Sequence, residues 1–135
     1  MMRQIRFFCV LVCVFVLCCG CQRTVNPDQT GNITLYQMAE DGSGLQSANY
    51  EIQSDREDNV AIIQELLNCF KKWVAVDDFQ LKEKQLTVTF LSSYYNQDKI
   101  DEVLNRASIV KTLCQLDGVE YVEFYVGENP LMLDG

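Results

Sequence analysis

The chain has 135 residues, 48% of them hydrophobic, and a formal net charge of −8. The part that follows its apolar leading segment has about 100 residues, which suits one domain with its own core and leaves no room for a second. No basic run is longer than Lys71-Lys72, so we expect no nucleic acid partner, because binding a polyphosphate requires a basic patch.

Residues 1–20 have the pattern of a signal peptide. Arg3 and Arg6 precede an uninterrupted apolar run of eleven residues, Phe7–Leu17, and small residues follow. A membrane-spanning helix needs about 20 apolar residues, so export followed by cleavage is the favoured interpretation. Cleavage removes two of the 11 basic residues and none of the 19 acidic ones, which leaves a charge of −10.

The segment Leu17-Cys18-Cys19-Gly20-Cys21 resembles the lipobox of bacterial lipoproteins. Gly20 is the small residue before the modified cysteine, whereas Cys18 departs from the usual leucine. The resemblance implies that Cys21 becomes an N-terminus acylated with fatty chains such as palmitate. This lipid would hold the protein on the outer, extracytoplasmic face of the cell membrane, with simple secretion or an uncleaved anchor as alternatives.

Three cysteines remain after cleavage, namely Cys21, Cys69 and Cys114, and the chain has no histidine. Without histidine or paired-cysteine spacing, we expect no metal site, no Cys-His nucleophile and no cofactor. Cys69 and Cys114 each fall on the apolar side of a predicted helix, which is typical of buried free thiols. A disulfide between these two is the alternative in an oxidising location.

A polar tether and a hairpin are predicted next along the chain. Residues 21–32 are polar and lack periodicity, whereas Ile33–Met38 alternates with the two-residue period of a strand. Asp41–Gly44 marks a turn before a second extended piece near Tyr50–Gln53. Together these segments indicate a hairpin at the start of a domain that spans residues 33–131.

A first amphipathic helix is predicted over Asp55–Trp73. Ser54 and Glu57 have the spacing of a capping box. Apolar residues then recur at helical spacing, namely Val60, Ile63, Leu66, Leu67, Phe70 and Trp73.

Two strands, a second helix and a last strand complete the predicted domain. Phe79–Lys82 and Gln85–Ser92 form a hairpin, Asn96–Asp98 opens the helix and Asp117-Gly118 ends it. Val119–Val126 is the last strand. The apolar stripe of the second helix comprises Ile100, Val103, Leu104, Ala107, Val110, Leu113 and Cys114.

The predicted order is β-β-α-β-β-α-β, which indicates an α+β fold. Two amphipathic helices can both cover one face of a mostly antiparallel sheet, giving a two-layer sandwich. Strict alternation then predicts which residues occupy the opposite, uncovered face: Tyr36, Met38, Thr87, Thr89, Leu91, Tyr121 and Tyr125.

This uncovered face is the candidate binding surface. Aromatic and methionine side chains on an acidic domain are what a protein partner buries. The alternative is an ordinary one-sided sheet that exposes some apolar atoms.

No catalytic constellation is expected. The paired acids Glu40-Asp41 and Asp77-Asp78 are predicted to lie at turns as solvated charges, without the spacing of a calcium loop. Ser92-Ser93 lacks the context of a nucleophile elbow, and no glycine-rich phosphate loop follows a strand. The sequence therefore predicts a protein that is not an enzyme.

Several segments carry a family resemblance. They are Leu35-Tyr36, Ala61–Leu67, Leu86–Phe90, Ala107–Leu113 and Val119–Gly127. The strongest is the second helix, whose small-Ser-Ile-Val-x-Thr-Leu pattern leads through a glycine into a strand and a closing glycine. These segments are similar to the GerM domain of sporulation and spore germination lipoproteins.

The resemblance implies a domain without known catalysis, related in shape to the ring-building modules of secretion and sporulation channels. It also implies assembly at the envelope of a spore-forming cell, with another envelope protein or with copies of itself. Family members usually continue past the last strand, and many carry two such domains. Residues 132–135 are here only a short tail, so the chain is either a minimal member or truncated.

A second function stays open on the residues alone. An extracytoplasmic lipoprotein could bind cell-wall glycan or a small solute, with the tyrosines of the uncovered sheet face stacked on sugar rings.

Overall fold

The computed structural model describes residues 31–132. The predicted signal peptide, the lipidation residue Cys21, most of the tether and residues 133–135 lie outside this range. The described residues form six strands and two α-helices, so the predicted α+β class is confirmed.

The elements follow in an order that adds a short last strand to the predicted one. Their bounds are β1 Asn32–Met38, β2 Leu45–Glu51, α1 Asn59–Asn68, β3 Val76–Lys82, β4 Gln85–Phe90, a 3-10 helix Ser92–Asn96, α2 Lys99–Leu113, β5 Tyr121–Val126 and β6 Asn129–Pro130.

The strands form two sheets, where a single sheet was predicted. β1 and β2 pair as an antiparallel hairpin, while the second sheet has the order β3-β4-β5-β6. β4 and β5 are parallel and the other pairs are antiparallel. The single-sheet prediction was wrong because the second edge of β1 lies against helix α2. Two residues after the end of α2, Gln115 accepts a hydrogen bond from the Thr34 N–H (3.1 Å) and donates one to the Thr34 carbonyl (2.7 Å).

One apolar core joins both sheets and both helices. Buried side chains of β1, β4, β5, α1 and α2 all belong to it. Each fully buried aliphatic or aromatic side chain contributes about 1.5–3 kcal/mol through its removal from water. The members of this core include Ile33, Leu35, Ile63, Leu66, Phe70, Leu86, Val88, Phe90, Ile109, Leu113 and Phe124.

Helix α1 is shorter than predicted, and its cap differs. Asp58 is the N-cap, because its carboxylate accepts a hydrogen bond from the Ala61 N–H (3.0 Å). The predicted capping box at Ser54 was wrong, since the Ser54 N–H donates instead to the Glu65 carboxylate (2.7 Å). Beyond Asn68 the chain continues in turns.

Helix α2 begins after Asp98 as predicted, with the Asp98 carboxylate accepting from the Ile100 N–H (2.9 Å). The predicted stripe is buried only in part: Leu113 is fully buried, whereas Ile100 is 66% exposed and Val103 is 52% exposed. Among the buried polar side chains of α2, Thr112 bonds to the edge of β1, whereas Asn105 bonds to the Gln97 side chain and Ser108 to the Leu104 carbonyl. The buried residues of this helix are Asn105, Ser108, Ile109, Thr112 and Leu113.

Candidate functional site

One face of the four-stranded sheet is uncovered by the helices. Along β4, Leu86, Val88 and Phe90 point into the core, so the residues between them point outward. The register places Thr87 opposite Glu123 and Thr89 opposite Tyr125 on the neighbouring strand. We define the open sheet face by its outward residues on β4 and β5: Gln85, Thr87, Thr89, Tyr121, Glu123 and Tyr125.

Four residues of the predicted face therefore come together: Thr87, Thr89, Tyr121 and Tyr125. Tyr121 is 51% exposed, and its hydroxyl donates a hydrogen bond to the Gln85 side chain (3.0 Å). This bond holds a large aromatic ring at a fixed place beside β4. Leu91 is exposed just after the end of β4.

Two residues predicted for this face lie elsewhere. Tyr36 and Met38 belong to β1, in the other sheet. Met38 is buried, and the ring of Tyr36 lies under the Lys111 ammonium, 4.8 Å from the ring centroid. The predicted alternation of buried and exposed residues breaks at the end of β1, because Met38 is buried although it lies three residues, not two or four, after the buried Leu35.

The paired acids carry ordinary surface charge, although one pair is not at a turn. A hydrogen bond from Lys72 (2.6 Å) and its positive charge lower the pKa of exposed Glu40. Hydrogen bonds from Ser43 lower the pKa of Asp41, as expected of an acid that closes a turn. Asp77 and Asp78 lie exposed within β3, at a register shift against β4, so their predicted turn position was wrong.

Cys69 and Cys114 are both half-buried free thiols in the structure. The Cys69 Sγ lies 3.6 Å from the Glu65 carbonyl, and the Cys114 Sγ lies 3.8 Å from the Glu120 carbonyl. Burial raises the pKa of each thiol. Both therefore stay protonated near neutral pH and are poor nucleophiles.

Neither a metal centre nor a membrane span is found in residues 31–132. Within that range no group of three or more Cys, Asp or Glu side chains could hold a metal ion. The helices of the same range are too short or too polar to cross a membrane.

A second candidate surface is a groove between α2 and the β5-β6 edge, which we call the α2-β5 groove. It has a volume of about 580 Å³. The sequence did not predict this groove, because the pattern of α2 places Val103, Ala107 and Val110 toward the core. Its walls include Val103, Arg106, Ala107, Val110, Val122 and Leu131.

These features define a small α+β domain with an open sheet face and an apolar groove. The family model described as Germane, sporulation and spore germination, matches residues 34–132. The chain therefore belongs to this sporulation and germination family, whose domain is not known to be catalytic. Comparison with curated proteins gave no match, and neither did comparison with solved structures.

Proposed function

We propose that the protein is a membrane-tethered lipoprotein whose α+β domain binds another envelope protein, without catalysis, during sporulation or spore germination. In this proposal Cys21 carries the lipid and residues 22–32 form the tether. Family membership supports the cellular stage. The observation that carries the contact surface is the open sheet face with its exposed Tyr121.

The composition of the open sheet face suits a protein partner. Protein interfaces are enriched in tyrosine and depleted of charge at their centres. Tyr121 and Tyr125 flank a single acid, Glu123, and two threonines lie on the next strand. A sheet covered on one side commonly leaves its other side to solvent, so burial of these rings in a partner requires no rearrangement of the core.

The tether would make a weak contact sufficient. Lipid attachment confines both partners to one surface, which raises their effective concentration. A segment of about ten residues spans at most about 33–36 Å even when fully extended. The tether would therefore keep the domain close to the membrane surface, where it can contact only partners that lie near that surface.

Site-specific photo-crosslinking in sporulating cells tests the contact surface. We would place a photoreactive amino acid at Tyr121 or Tyr125 in the full chain, and at Tyr95 as the matched control. Tyr95 is 61% exposed and lies outside the open sheet face. We expect one defined envelope protein to crosslink from Tyr121 and Tyr125 but not from Tyr95. Adducts with wall glycan would assign the face to the alternative function, and equal adducts from all three positions would remove the face from consideration.

Fractionation tests the tether separately. We expect Cys21→Ala to release the protein from the membrane fraction and to abolish labelling by an alkyne analogue of palmitate. Cys19→Ala makes the same chemical change two residues earlier and should leave both unchanged. A Cys21→Ala protein that stays in the membrane fraction would contradict the lipid anchor.

A further inference from the structure

Strand β2 has a bare outer edge. In its sheet β2 pairs with β1 alone, and no helix or further strand of residues 31–132 packs along its other side. Five of the seven residues of β2 are exposed. An edge of this kind presents unpaired backbone N–H and C=O groups to which another strand can pair.

The hydrogen bonds of the β1-β2 hairpin show which groups face outward. In an antiparallel pair, opposite residues alternate between exchanging backbone hydrogen bonds and exchanging none. At the turn the Ala39 N–H donates to the Gly44 carbonyl (2.9 Å), and the register from there to the end of β2 is unbroken. The N–H and C=O groups of every second β2 residue therefore point away from β1, and these residues are Leu45, Ser47, Asn49 and Glu51.

The outward groups of β1 are paired, whereas those of β2 are largely free. On β1 the same rule turns the N–H groups of Thr34 and Tyr36 away from β2, and side chains in and just after α2 accept both. On β2 the Gln53 side chain donates to the Glu51 carbonyl (2.9 Å). No other outward backbone group of β2 has a hydrogen-bond partner within the described range, so a further strand could pair along most of its length.

Two other open edges carry features that discourage pairing, and β2 lacks these features. Charges, bulges, prolines and short length protect natural edge strands. β3 has the exposed charges Asp77 and Asp78 at a register shift, and β6 has only two residues, one of them Pro130. β2 has no lysine and no proline, and its one charge is Glu51 at its end. On a chain of net charge −8, copies can approach at this edge with little repulsion.

We propose that two copies of the chain join edge to edge through β2, as an antiparallel pair with a two-fold axis at Ala48. Full overlap of the two strands places Ala48 opposite Ala48 of the second copy, and Ser47 opposite Asn49. Outward backbone groups then meet outward backbone groups, so the two hairpins form one sheet of four strands in the order β1-β2-β2-β1.

The residue on the two-fold axis favours a second copy over an unrelated strand. Two identical side chains meet there, in a pair that exchanges no hydrogen bonds, with Cα atoms only about 4.5 Å apart. Alanine is small and uncharged and can face itself at this distance, whereas a charged residue would face its own charge. The two Glu51 residues would lie at opposite ends of the pair, about 20 Å apart. This interface uses neither the open sheet face nor the lipid, so it is independent of the proposed function.

Disulfide crosslinking of the purified full chain in detergent tests the proposal, with copper phenanthroline as the oxidant. Ala48→Cys places a thiol opposite its own counterpart, at a Cα separation within the range of about 4.4–6.8 Å that disulfides need. Gln46→Cys is the matched control on the same face of β2, because its counterparts would be about 14 Å apart. We expect a dimer linked through residue 48 from Ala48→Cys, identified by mass spectrometry. Gln46→Cys should give no more dimer than the unaltered protein, which measures the background from the native cysteines.

A second pair of variants tests the edge itself in the Ala48→Cys protein. Ser47→Lys adds the kind of charge that protects natural edge strands, and we expect it to remove most of the crosslinked dimer. Ser93→Lys makes the same change at an exposed residue of the 3-10 helix and should leave the yield of dimer unchanged. Equal midpoints in urea denaturation show that each variant is folded.

Three results would overturn the proposal. They are equal crosslinking of Ala48→Cys and Gln46→Cys, absence of the dimer linked through residue 48, and a yield that Ser47→Lys leaves unchanged. The same oxidation in isolated membranes tests for a different partner. A crosslink from Ala48→Cys to another protein, without the dimer, would also overturn self-association and would assign the edge to that protein.

Discussion

The buried hydroxyl of Thr112 in helix α2 accepts a hydrogen bond of 3.0 Å from the backbone N–H of Tyr36 in strand β1, 76 residues earlier. Gln115, about one turn later, contacts both the N–H and the carbonyl of Thr34. One side chain of α2 and one from the turn that follows it thus satisfy part of the edge of β1 that no strand covers. These contacts attach the β1-β2 hairpin to the rest of the fold.

Removing the Thr112 hydroxyl should weaken the fold. Thr112→Val keeps the shape of the side chain but leaves the Tyr36 N–H unpaired, so we expect the free energy of unfolding to fall by about 1–3 kcal/mol. Urea denaturation measures this loss. Thr87→Val makes the same change on the open sheet face and should alter the value by less than about 0.5 kcal/mol. Equal losses would contradict the role of Thr112 at the edge of β1.

Two isoleucines of α2 test which side of the helix is buried. Ile109 is fully buried, whereas Ile100 is 66% exposed. Ile109→Ala should lower the free energy of unfolding by about 2–5 kcal/mol, because it opens a cavity in the core. Ile100→Ala should change it by no more than about 0.5 kcal/mol. A large loss from Ile100→Ala would mean that Ile100 belongs to the core face after all, as the sequence predicted.

Glu65 should make stability depend on pH. Burial raises the pKa of Glu65, but hydrogen bonds from Ser54, Gln53 and Tyr50 together lower it more, so its pKa falls below the ordinary value of 4.5. Because the pKa is depressed in the folded state, this stabilisation is present above about pH 4.5 and is lost as the pH falls through the folded pKa.

The variant Glu65→Gln removes this charge. We expect it to be less stable than the unaltered protein by about 1–2 kcal/mol at pH 7, and the difference should narrow as the pH falls below about 4.5. Thermal unfolding across this pH range measures the effect. Glu128→Gln changes an exposed acid in the β5-β6 turn and should show little difference at any pH. If the difference in stability between Glu65→Gln and the unaltered protein stayed constant with pH, this account would be refuted.

Glu83 lies in the two-residue turn between β3 and β4 with a φ of 56°. A residue with a Cβ pays about 1–2 kcal/mol in this left-handed region, whereas glycine does not. After the greater freedom of glycine in the unfolded chain is subtracted, Glu83→Gly should raise the free energy of unfolding by about 0.5 kcal/mol. Urea denaturation measures this increase. Lys84→Gly, at the neighbouring turn position, should not raise the free energy of unfolding.

Local signals predicted much of the fold correctly. Asp98 correctly predicted the start of α2, because an N-cap side chain bonds only to backbone N–H groups in the first turn of its own helix. The alternation of Leu86, Val88 and Phe90 with polar residues correctly predicted which face of β4 is buried. Successive side chains of any strand point to opposite faces, so this prediction needs no knowledge of distant residues. Tyr121 and Tyr125 were placed on the open sheet face by the same rule.

Features that depend on distant parts of the chain were not predicted. Thr112 is buried only because β1 lies against α2, and nothing near Thr112 in the sequence signals that contact. Met38 is buried because of its place in the hairpin and not because of strand alternation. The α2-β5 groove has walls from both Val103 on α2 and Leu131 after β5, and no local pattern reveals that these residues line one groove.

Counting spores most directly tests the central claim, that the open sheet face serves sporulation or germination. A deletion strain would be complemented with the unaltered gene, with the Tyr121→Ser/Tyr125→Ser double variant or with Tyr95→Ser, each at equal protein level. Heat-resistant spores and the fraction that germinate would then be counted. We expect the unaltered gene and Tyr95→Ser to restore both counts, and the double variant to fail in at least one. Full restoration by the double variant, or normal counts in the deletion strain, would contradict the account.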